Sequence, residues 1–376
     1  MAAKQAQLKS TPGQLTPRWK RSLAGKLLRW FARHQRDLPW RRTADPYQIW
    51  VSEIMLQQTQ VATVIPYFER FVASFPTVES LSAADEHAVL RHWEGLGYYR
   101  RARQMHRAAR VVVQDHGGQF PRTLEAIQQL PGIGRYTAGA IASIAFDLPA
   151  PILEANTVRL LSRLAAFRDD PASGQGKKLL WQLAVDVLPD RSCGAFNQAL
   201  MELGSQICTP RKPACDRCPI SSLCAARTSG LEDSIPLLRA KPPSEAVREA
   251  AVVLWRGGRV LLRKRQPPER WAGLWDFVRF PLSARGGKPL ELELLEKIAA
   301  HSGLRCDVPQ RITTLKHGVT RFRITLDCYR ARARGTRAKG DTATWQWVRP
   351  DKLDQLALST TGRKLARLLT AARADR

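Results

Sequence analysis

No apolar run in this chain approaches the roughly 18 residues that a membrane-spanning helix requires, so anchoring by such a helix has no support. The opening stretch MAAKQAQLKSTPGQLTPRWKRS is polar and lacks the apolar centre of a secretory signal. The expected compartment is therefore a reducing cytoplasm, on the nucleoid if the source is bacterial. Acidic residues are scarce, with Asp+Glu 33 against Lys+Arg 60 and a formal net charge of +27. Charge this far from zero argues for a polyanionic partner and says little about fold. Arginine is spread along the whole length, so no isolated basic tail explains the excess. A membrane surface gains little support without a membrane-seeking segment, and nucleic acid is the better match. There is no internal repeat. With 376 residues the chain is long enough for two cores.

Cysteine is also sparse, at seven residues, yet four of them crowd together. Cys208, Cys215, Cys218 and Cys224 follow the spacing C-x6-C-x2-C-x5-C inside ELGSQICTPRKPACDRCPISSLCAA. A disulfide framework does not fit a large chain without a secretory segment. Four thiolates so close in sequence can converge on one metal centre, and Cys₄ ligation suits a [4Fe–4S] cluster. Zinc is the rival, but structural zinc usually takes two C-x2-C-type pairs, and only one occurs here. The loop between the first two cysteines carries Arg211 and Lys212, cations that a rigid frame could present to phosphate. A solvated surface loop is the plain alternative. Cys193, Cys306 and Cys328 stand apart and read as ordinary buried thiols.

Residues 19–226 read as helical segments broken by Pro and Gly: Trp19–His34, Pro46–Phe71, Ala83–Trp93, Arg101–His116, Thr123–Leu130, Arg135–Phe146, Asn156–Ala166, Lys177–Leu188 and Ala195–Gln206. Residues 1–18 read as a flexible N-terminus, and 227–246 have the composition of a linker. From 247 to 376 the character changes. AVVLWRGGRVLLRKR is strand, Gly-Gly turn, strand. A helix follows near Leu290–Ser302, then the strand-like runs RITTLKH, RFRITLDCYRARA and TATWQWVRP, and a final helix, Thr361–Ala372. The fold class is an all-α domain followed by a smaller α+β domain.

Two motifs carry chemistry. Leu130-Pro131-Gly132-Ile133-Gly134-Arg135 joins two helices as a helix-hairpin-helix element. Gly132 and Gly134 permit positive φ and close backbone approach, and the hairpin N–H groups with the next helix start form a phosphate seat. Such contacts ignore base sequence. In the run Pro46–Phe71, Val51, Ile54, Met55, Val61, Ala62 and Ile65 form an apolar stripe. Glu53, Gln57 and Gln60 form a separate polar stripe. An acid in so apolar a helix tends to a raised pKa, which suits a general acid.

These motifs resemble the helix-hairpin-helix DNA glycosylases that carry an iron–sulfur cluster, and within them the MutY-type adenine glycosylase branch. The matching blocks are LPWR (38–41), PYQIWVSEIMLQQTQVATVIPYFERF (46–71), WEGLGYYRRAR (93–103), LPGIGRYTAGAIAS (130–143), FNQALMELG (196–204), the cysteine run and PPERWAGLWDFVRFP. The resemblance covers nearly everything after residue 19. It implies a monomer that acts on double-stranded DNA at adenine paired with 8-oxoguanine or guanine, flipping the adenine and hydrolysing its glycosidic bond.

By this resemblance Glu53 protonates the departing adenine, Gln57 wedges into the duplex beside it, and Tyr98 wedges beside the opposing lesion. Arg41 falls near the adenine pocket, although an arginine there could also serve phosphate or a carboxylate. The family's Ile-Leu-Asp-Gly-Asn block reads Ile152-Leu153-Glu154-Ala155-Asn156 here. Glu154 keeps the charge that calms an oxocarbenium-like sugar but adds a methylene, and Asn156 is its hydrogen-bonding neighbour or a helix cap. Tyr136 stands where endonuclease III-like relatives place a Schiff-base lysine, so the resemblance implies base removal without strand cleavage. The second domain resembles the nudix-like module that inspects 8-oxoguanine, but lacks the clustered acids of a nudix box. Its lesion-probing tip, aromatic-Ser-His in the family, reads Val319-Thr320-Arg321, leaving Thr320 and Arg321 as replacements without the aromatic. Rival readings are a glycosylase for oxidised pyrimidine or mismatched thymine, and a non-catalytic iron–sulfur DNA-binding protein.

Overall fold

The computed structural model describes residues 15–237, 243–283, 289–335 and 344–374. Residues 1–14 of the expected flexible N-terminus and 238–242 of the expected linker lie outside the described residues, as do Thr342 and Ala343 at the start of TATWQWVRP. The chain divides into two compact units. One holds Met1–Ala83 with Gln104–Ala240, the other Ala84–Arg103 with Lys241–Arg376. Among the described residues no helix is long and apolar enough to cross a membrane.

The first unit is helical. It contains α1 (Pro17–His34), α2 (Pro46–Leu56), α3 (Val61–Ser74) and α4 (Val78–Ala83). Helix α5 (Glu86–His92) and the first residues of α6 (Arg100–His116) belong to the second unit. The remainder of the first unit is the rest of α6, then α7 (Leu124–Gln129), α8 (Arg135–Phe146), α9 (Ala155–Leu164), α10 (Gly174–Val187), α11 (Cys193–Gln206) and the short α12 (Ala225–Thr228). Leu23, Leu27 and Phe31 of α1 pack with Leu160 and Leu164 of α9, Leu180 and Leu183 of α10 and Phe196 and Leu203 of α11 in one apolar core.

The expected single helix Pro46–Phe71 is two helices. Asp45 starts α2 by accepting from Tyr47 N at 2.9 Å, with Pro46 in the first turn. The helix stops at Leu56 because Gln57 leaves helical geometry (ψ 112°) and Gln58 turns to φ 56°. This break resets the phase, so the proposed stripes do not run through it. In α2 every residue from Ile49 to Met55 is buried, and in α3 the core face is Val64, Phe68 and Phe71, with Ala62 exposed. Gln60 is exposed at the start of α3 and shares no face with Glu53. The expected Ala83–Trp93 helix is shorter: Ala83 ends α4, and α5 runs from Glu86 to His92.

Helices α8 and α11 touch backbone to backbone. A Cβ on Gly194 would stand 2.4 Å from Ser143 O, and Asp147, closing α8 at φ 51°, accepts from Ser192 N and Gly194 N at 3.0 Å each. This contact holds Tyr136 on α8 in register with Met201 and Glu202 on α11.

In the second unit a mixed sheet is built on β1 (Glu245–Arg256). A Gly257-Gly258 turn, both residues at positive φ, leads to β2 (Arg259–Lys264), followed by β3 (Trp275–Asp276) and β4 (Val278–Pro281). After α13 (Leu290–Ser302) come β5 (Arg305–Cys306), β6 (Gln310–Val319), β7 (Phe322–Arg334) and β8 (Trp345–Val348). The closing helix is α14 (Thr360–Ala374). Strand β1 runs parallel to β7, from Glu245 opposite Phe322 to Trp255 opposite Arg332, and antiparallel to β2 and β4. Its run Ala250–Leu254 is wholly buried because α14 covers one sheet face and α13 the other. The tip between β6 and β7 is only Thr320-Arg321, with Thr320 at φ 52°.

Gly194→Ala should destabilise the protein by about 1–3 kcal/mol, the usual cost of overpacking a core contact. Urea unfolding followed by circular dichroism measures it, and an unchanged midpoint would show that α8 and α11 separate easily.

Candidate active site and iron–sulfur centre

Glu53 lies in the last part of α2 among the buried Ile49, Trp50, Ser52 and Ile54, and it is 5% exposed. Tyr136, on the first turn of α8, donates from its hydroxyl to Glu53 Oε2 at 2.6 Å, and that hydroxyl oxygen lies 3.3 Å from Met201 Sδ. Burial pushes the Glu53 carboxyl up to about 7, against the pull of the Tyr136 hydrogen bond and Arg41, with Glu154 raising it further. Burial and Glu53 together lift the Tyr136 phenol well above its ordinary value, so it stays protonated and donating. A carboxyl poised near neutrality can hold a proton and release it.

Glu154 shares a cleft of about 510 Å³ with Glu53, Tyr136, Gln57 and Asn156. It is the residue that caps α9, not Asn156. Its Oε1 accepts from Thr157 N at 3.0 Å and its Oε2 from Asn156 N at 2.9 Å, while Thr157 Oγ1 accepts from Glu154 N at 2.7 Å. The extra methylene relative to aspartate is absorbed by folding the carboxylate back onto this helix start. Burial raises the Glu154 pKa and the two backbone N–H groups counter it. Asn156 sits inside α9, donating to Glu154 Oε2 at 3.3 Å and accepting from Arg159 at 2.9 Å. Arg159 also donates to Cys208 O and Gly204 O. A chain of polar contacts thus runs from the Glu154 carboxylate to the first cysteine of the metal-ligating run.

Arg41 serves a carboxylate. It donates to Glu202 Oε2 at 2.9 Å, and Arg36 forms a second clasp at 2.7 Å. Glu202 is fully buried in α11 and lines the same cleft. Burial works to raise its pKa, but Arg36 and Arg41 hold it at about 2. Glu202, Arg36 and Met201 were not picked out from the sequence. A lone acid within the apolar stretch FNQALMELG was the available signal. Gln57 donates to Thr137 Oγ1 at 3.4 Å from the end of α2.

In the hairpin only Gly132 needs positive φ (78°), and a Cβ there would meet Gln104 Cβ at 2.6 Å. Gly134 is extended at φ −90° as the cap of α8, and a Cβ on it would meet nothing within 4 Å. Its value is open space above the helix start. Tyr98, Thr320 and Arg321 are exposed and belong to the second unit. Arg321 stands 3.8 Å from Glu245, and Thr320 Oγ1 donates to its neighbour Val319 O at 2.7 Å.

Cys208, Cys215, Cys218 and Cys224 line one cavity together with Arg163. Among the described residues no three His, Cys, Asp or Glu side chains stand close enough to grip a single ion. Sulfurs arranged around a void fit a multi-atom cluster. Burial pushes the Cys218 thiol up to about 12, and the sulfurs of Cys208, Cys224 and Cys215 add to it, so this group needs a cationic centre to ionise. The buried Arg163 donates to Cys208 Sγ at 3.2 Å and to Thr209 O at 2.7 Å. Arg211 and Lys212 are exposed on the loop, with Lys212 at φ 47°. When bound, a [4Fe–4S] cluster ties the four thiolates into one rigid frame.

Residues 51–184 match the HhH-GPD superfamily of base excision DNA repair proteins, 208–224 the iron–sulfur binding domain of endonuclease III, and 250–368 the NUDIX domain. The adenine DNA glycosylase of Rattus norvegicus is 35% identical over 396 residues, covering 91% of this chain and 77% of that protein. The chain belongs to the adenine DNA glycosylase family. The adenine DNA glycosylase of Homo sapiens is 42% identical over 276 residues, 71% of this chain, and the match spans half of the human protein's length. Among solved structures, a thermostable thymine-DNA glycosylase is similar over 56% of this chain and 97% of its own, at 32% identity and a TM-score of 0.51. Within this family the Cys208–Cys224 run is the [4Fe–4S]-binding segment.

The raised Glu53 pKa has a consequence for stability. Its folded value near 7 exceeds the ordinary 4.5, so folding takes up a proton and stability falls as pH rises between those values. Glu53→Gln is free of that cost. Its melting temperature should match the parent near pH 4 and exceed it above about pH 7, with a gain on the order of a few kcal/mol. A gain independent of pH would mean that Glu53 is not the source.

Proposed function

We propose that this protein removes adenine from A:8-oxoguanine and A:G pairs in duplex DNA by hydrolysis, without a lyase step. The observation that carries the reading is the Tyr136–Glu53 hydrogen bond at 2.6 Å inside a buried cleft. It leaves one protonatable carboxyl near neutrality, and it puts a tyrosine where imine chemistry would need an amine.

The flipped adenine enters the cleft with its sugar near Glu53 and Glu154. Protonated Glu53 gives its proton to a ring nitrogen as the C1′–N9 bond breaks, so adenine leaves neutral. The resulting oxocarbenium-like sugar is stabilised by the Glu154 carboxylate, fixed by its helix-start hydrogen bonds. Ionised Glu53 then takes a proton from water while the hydroxide adds to C1′, which restores the acid. Tyr136 keeps the Glu53 oxygen aimed, and Asn156 steadies Glu154. Glu202, ionised between two arginines, is an acceptor for an amino group on the base, with Arg41 beside it. Gln57 enters the gap left by the adenine. On the second unit, Tyr98 wedges at the opposite base, and Thr320 and Arg321 inspect its oxidised edge. Gly132, Gly134, Arg211 and Lys212 hold phosphates, contacts that carry affinity and no sequence information.

Glu53→Gln should lower single-turnover adenine release from an A:8-oxoguanine duplex by at least ~10²-fold, the usual scale of general acid catalysis, with duplex binding retained. Undiminished release would remove Glu53 from the reaction. T:G and thymine-glycol duplexes run alongside should stay intact; release from either in place of adenine would move the substrate to the rival base.

Glu154→Asp should keep substantial activity, because the charge and one backbone hydrogen bond survive. Complete loss, measured in the same assay, would show that the longer side chain is built into the geometry.

A further inference from the structure

The Trp93–Tyr99 turn lies early in the sequence but is bound to the end of the chain. Glu94 accepts from Arg363 Nε at 2.6 Å and from Arg363 Nη2 at 3.0 Å, a two-pronged pair with both side chains under 10% exposed. Glu94 Oε2 also accepts from Leu358 N at 3.1 Å. Arg363 uses its remaining donors on Leu353 O, Asp354 and Leu356 O. Beside it, His87 Nε2 accepts from Ala357 N at 3.1 Å and Arg91 Nε donates to Asp354 O at 2.7 Å. All these residues fall in one compact unit.

Beyond Glu94 the turn is stiff. Trp93 Nε1 donates to Gly97 O at 3.1 Å, and the Arg101 guanidinium donates to Leu96 O and Gly97 O while lying 5.5 Å from the Tyr98 ring centre. Tyr98 is the apex, 47% exposed and at φ 47°, a conformation that a bulky residue holds only when its surroundings impose it. It lines a cleft of about 880 Å³ with Trp271, His317, Thr320 and Lys364. Glu94 is therefore the base on which an exposed aromatic is set against the Thr320 hairpin tip. An exposed ion pair would do this weakly. A desolvated, fork-to-carboxylate pair fixes both distance and angle.

We propose that Glu94 and Arg363 form a positioning pair that sets lesion discrimination, by holding Tyr98 at a fixed reach from the Thr320-Arg321 tip. The proposal rests on the reading that this unit inspects the base opposite the adenine. Neither residue touches DNA in this account, and neither lies in the unit that carries Glu53, so the chemistry of base removal should survive their change.

The test uses the full-length holoprotein as wild type, Glu94→Gln, Arg363→Lys and the double variant. Single-turnover adenine release is measured on A:8-oxoguanine and A:G duplexes, with melting curves to confirm folding. Arg363→Lys keeps the charge and loses the fork, so it guards against a variant that merely fails to fold. Misplacement by about 1 Å can cost ~10²-fold, so the preference for A:8-oxoguanine over A:G should fall at least about tenfold in each single variant. The double variant should be no worse than the worse single, because both break one contact, and release from A:G should stay within about threefold of wild type. An unchanged preference overturns the proposal, as does an equal loss on both duplexes, which marks a purely structural pair. A wild type that excises adenine with no preference sinks the underlying reading and the proposal together, and that result appears before any variant is made.

Discussion

The burial of one carboxyl organises the helical unit. Glu53 could ionise freely on a surface, but inside α2 its acid oxygen is buried against the Tyr136 hydroxyl. Desolvation outweighs that bond and Arg41, which leaves the pKa near 7. The arrangement requires α8 to stand against α2 and α11 at close range, and the glycine contact between α8 and α11 permits it. It also requires Glu202 to be neutralised by Arg36 and Arg41. A Glu202 carboxylate left unpaired in the same cleft would drive Glu53 higher still.

Of the three glutamates that line the cleft, Glu53 and Glu154 are held by different physics. Glu53 is buried and takes its hydrogen bond from the Tyr136 side chain. Glu154 is tied to the N–H groups of Asn156 and Thr157 at a helix start, where a negative charge is favoured. Two carboxyls with separate environments can take separate tasks, one carrying a proton and one carrying charge. The Asn156–Arg159 contacts then connect the charged member to the backbone at Cys208. The cysteine frame therefore supports the geometry of the site as well as its own loop.

Much of this was legible in the sequence because the relevant signals are local. The Asp45-Pro46 start, the Thr123 cap and the Gly257-Gly258 turn each set backbone geometry within a few residues. The break after Leu56 was not legible, since QQTQV contains neither Gly nor Pro, and the αL turn at Gln58 is stabilised by its setting. The sequence leaves Asn156 open between a hydrogen-bonding neighbour and a helix cap, because Glu154 and Asn156 can both accept at a helix start; the fold makes Glu154 the extended capping residue (φ −133°) and Asn156 its neighbour. Glu202 was missed for a related reason. A lone acid in the apolar stretch FNQALMELG marks the position, but its partner Arg36 lies far away in sequence and only the fold brings the two together.

Composition and spacing by themselves pointed to a polyanionic partner and to a Cys₄ centre, and determined the order of a helical domain before a mixed one. Those features depend on residue type and short-range distance along the chain. Tertiary structure alone decided that Tyr136 bonds to Glu53, that Arg41 spends its charge on Glu202, and that residues 84–103 are held with the C-terminal unit by Glu94 and Arg363. Each joins groups some 80 to 270 residues apart, and whether such groups meet is set by helix and sheet packing, which no local pattern encodes.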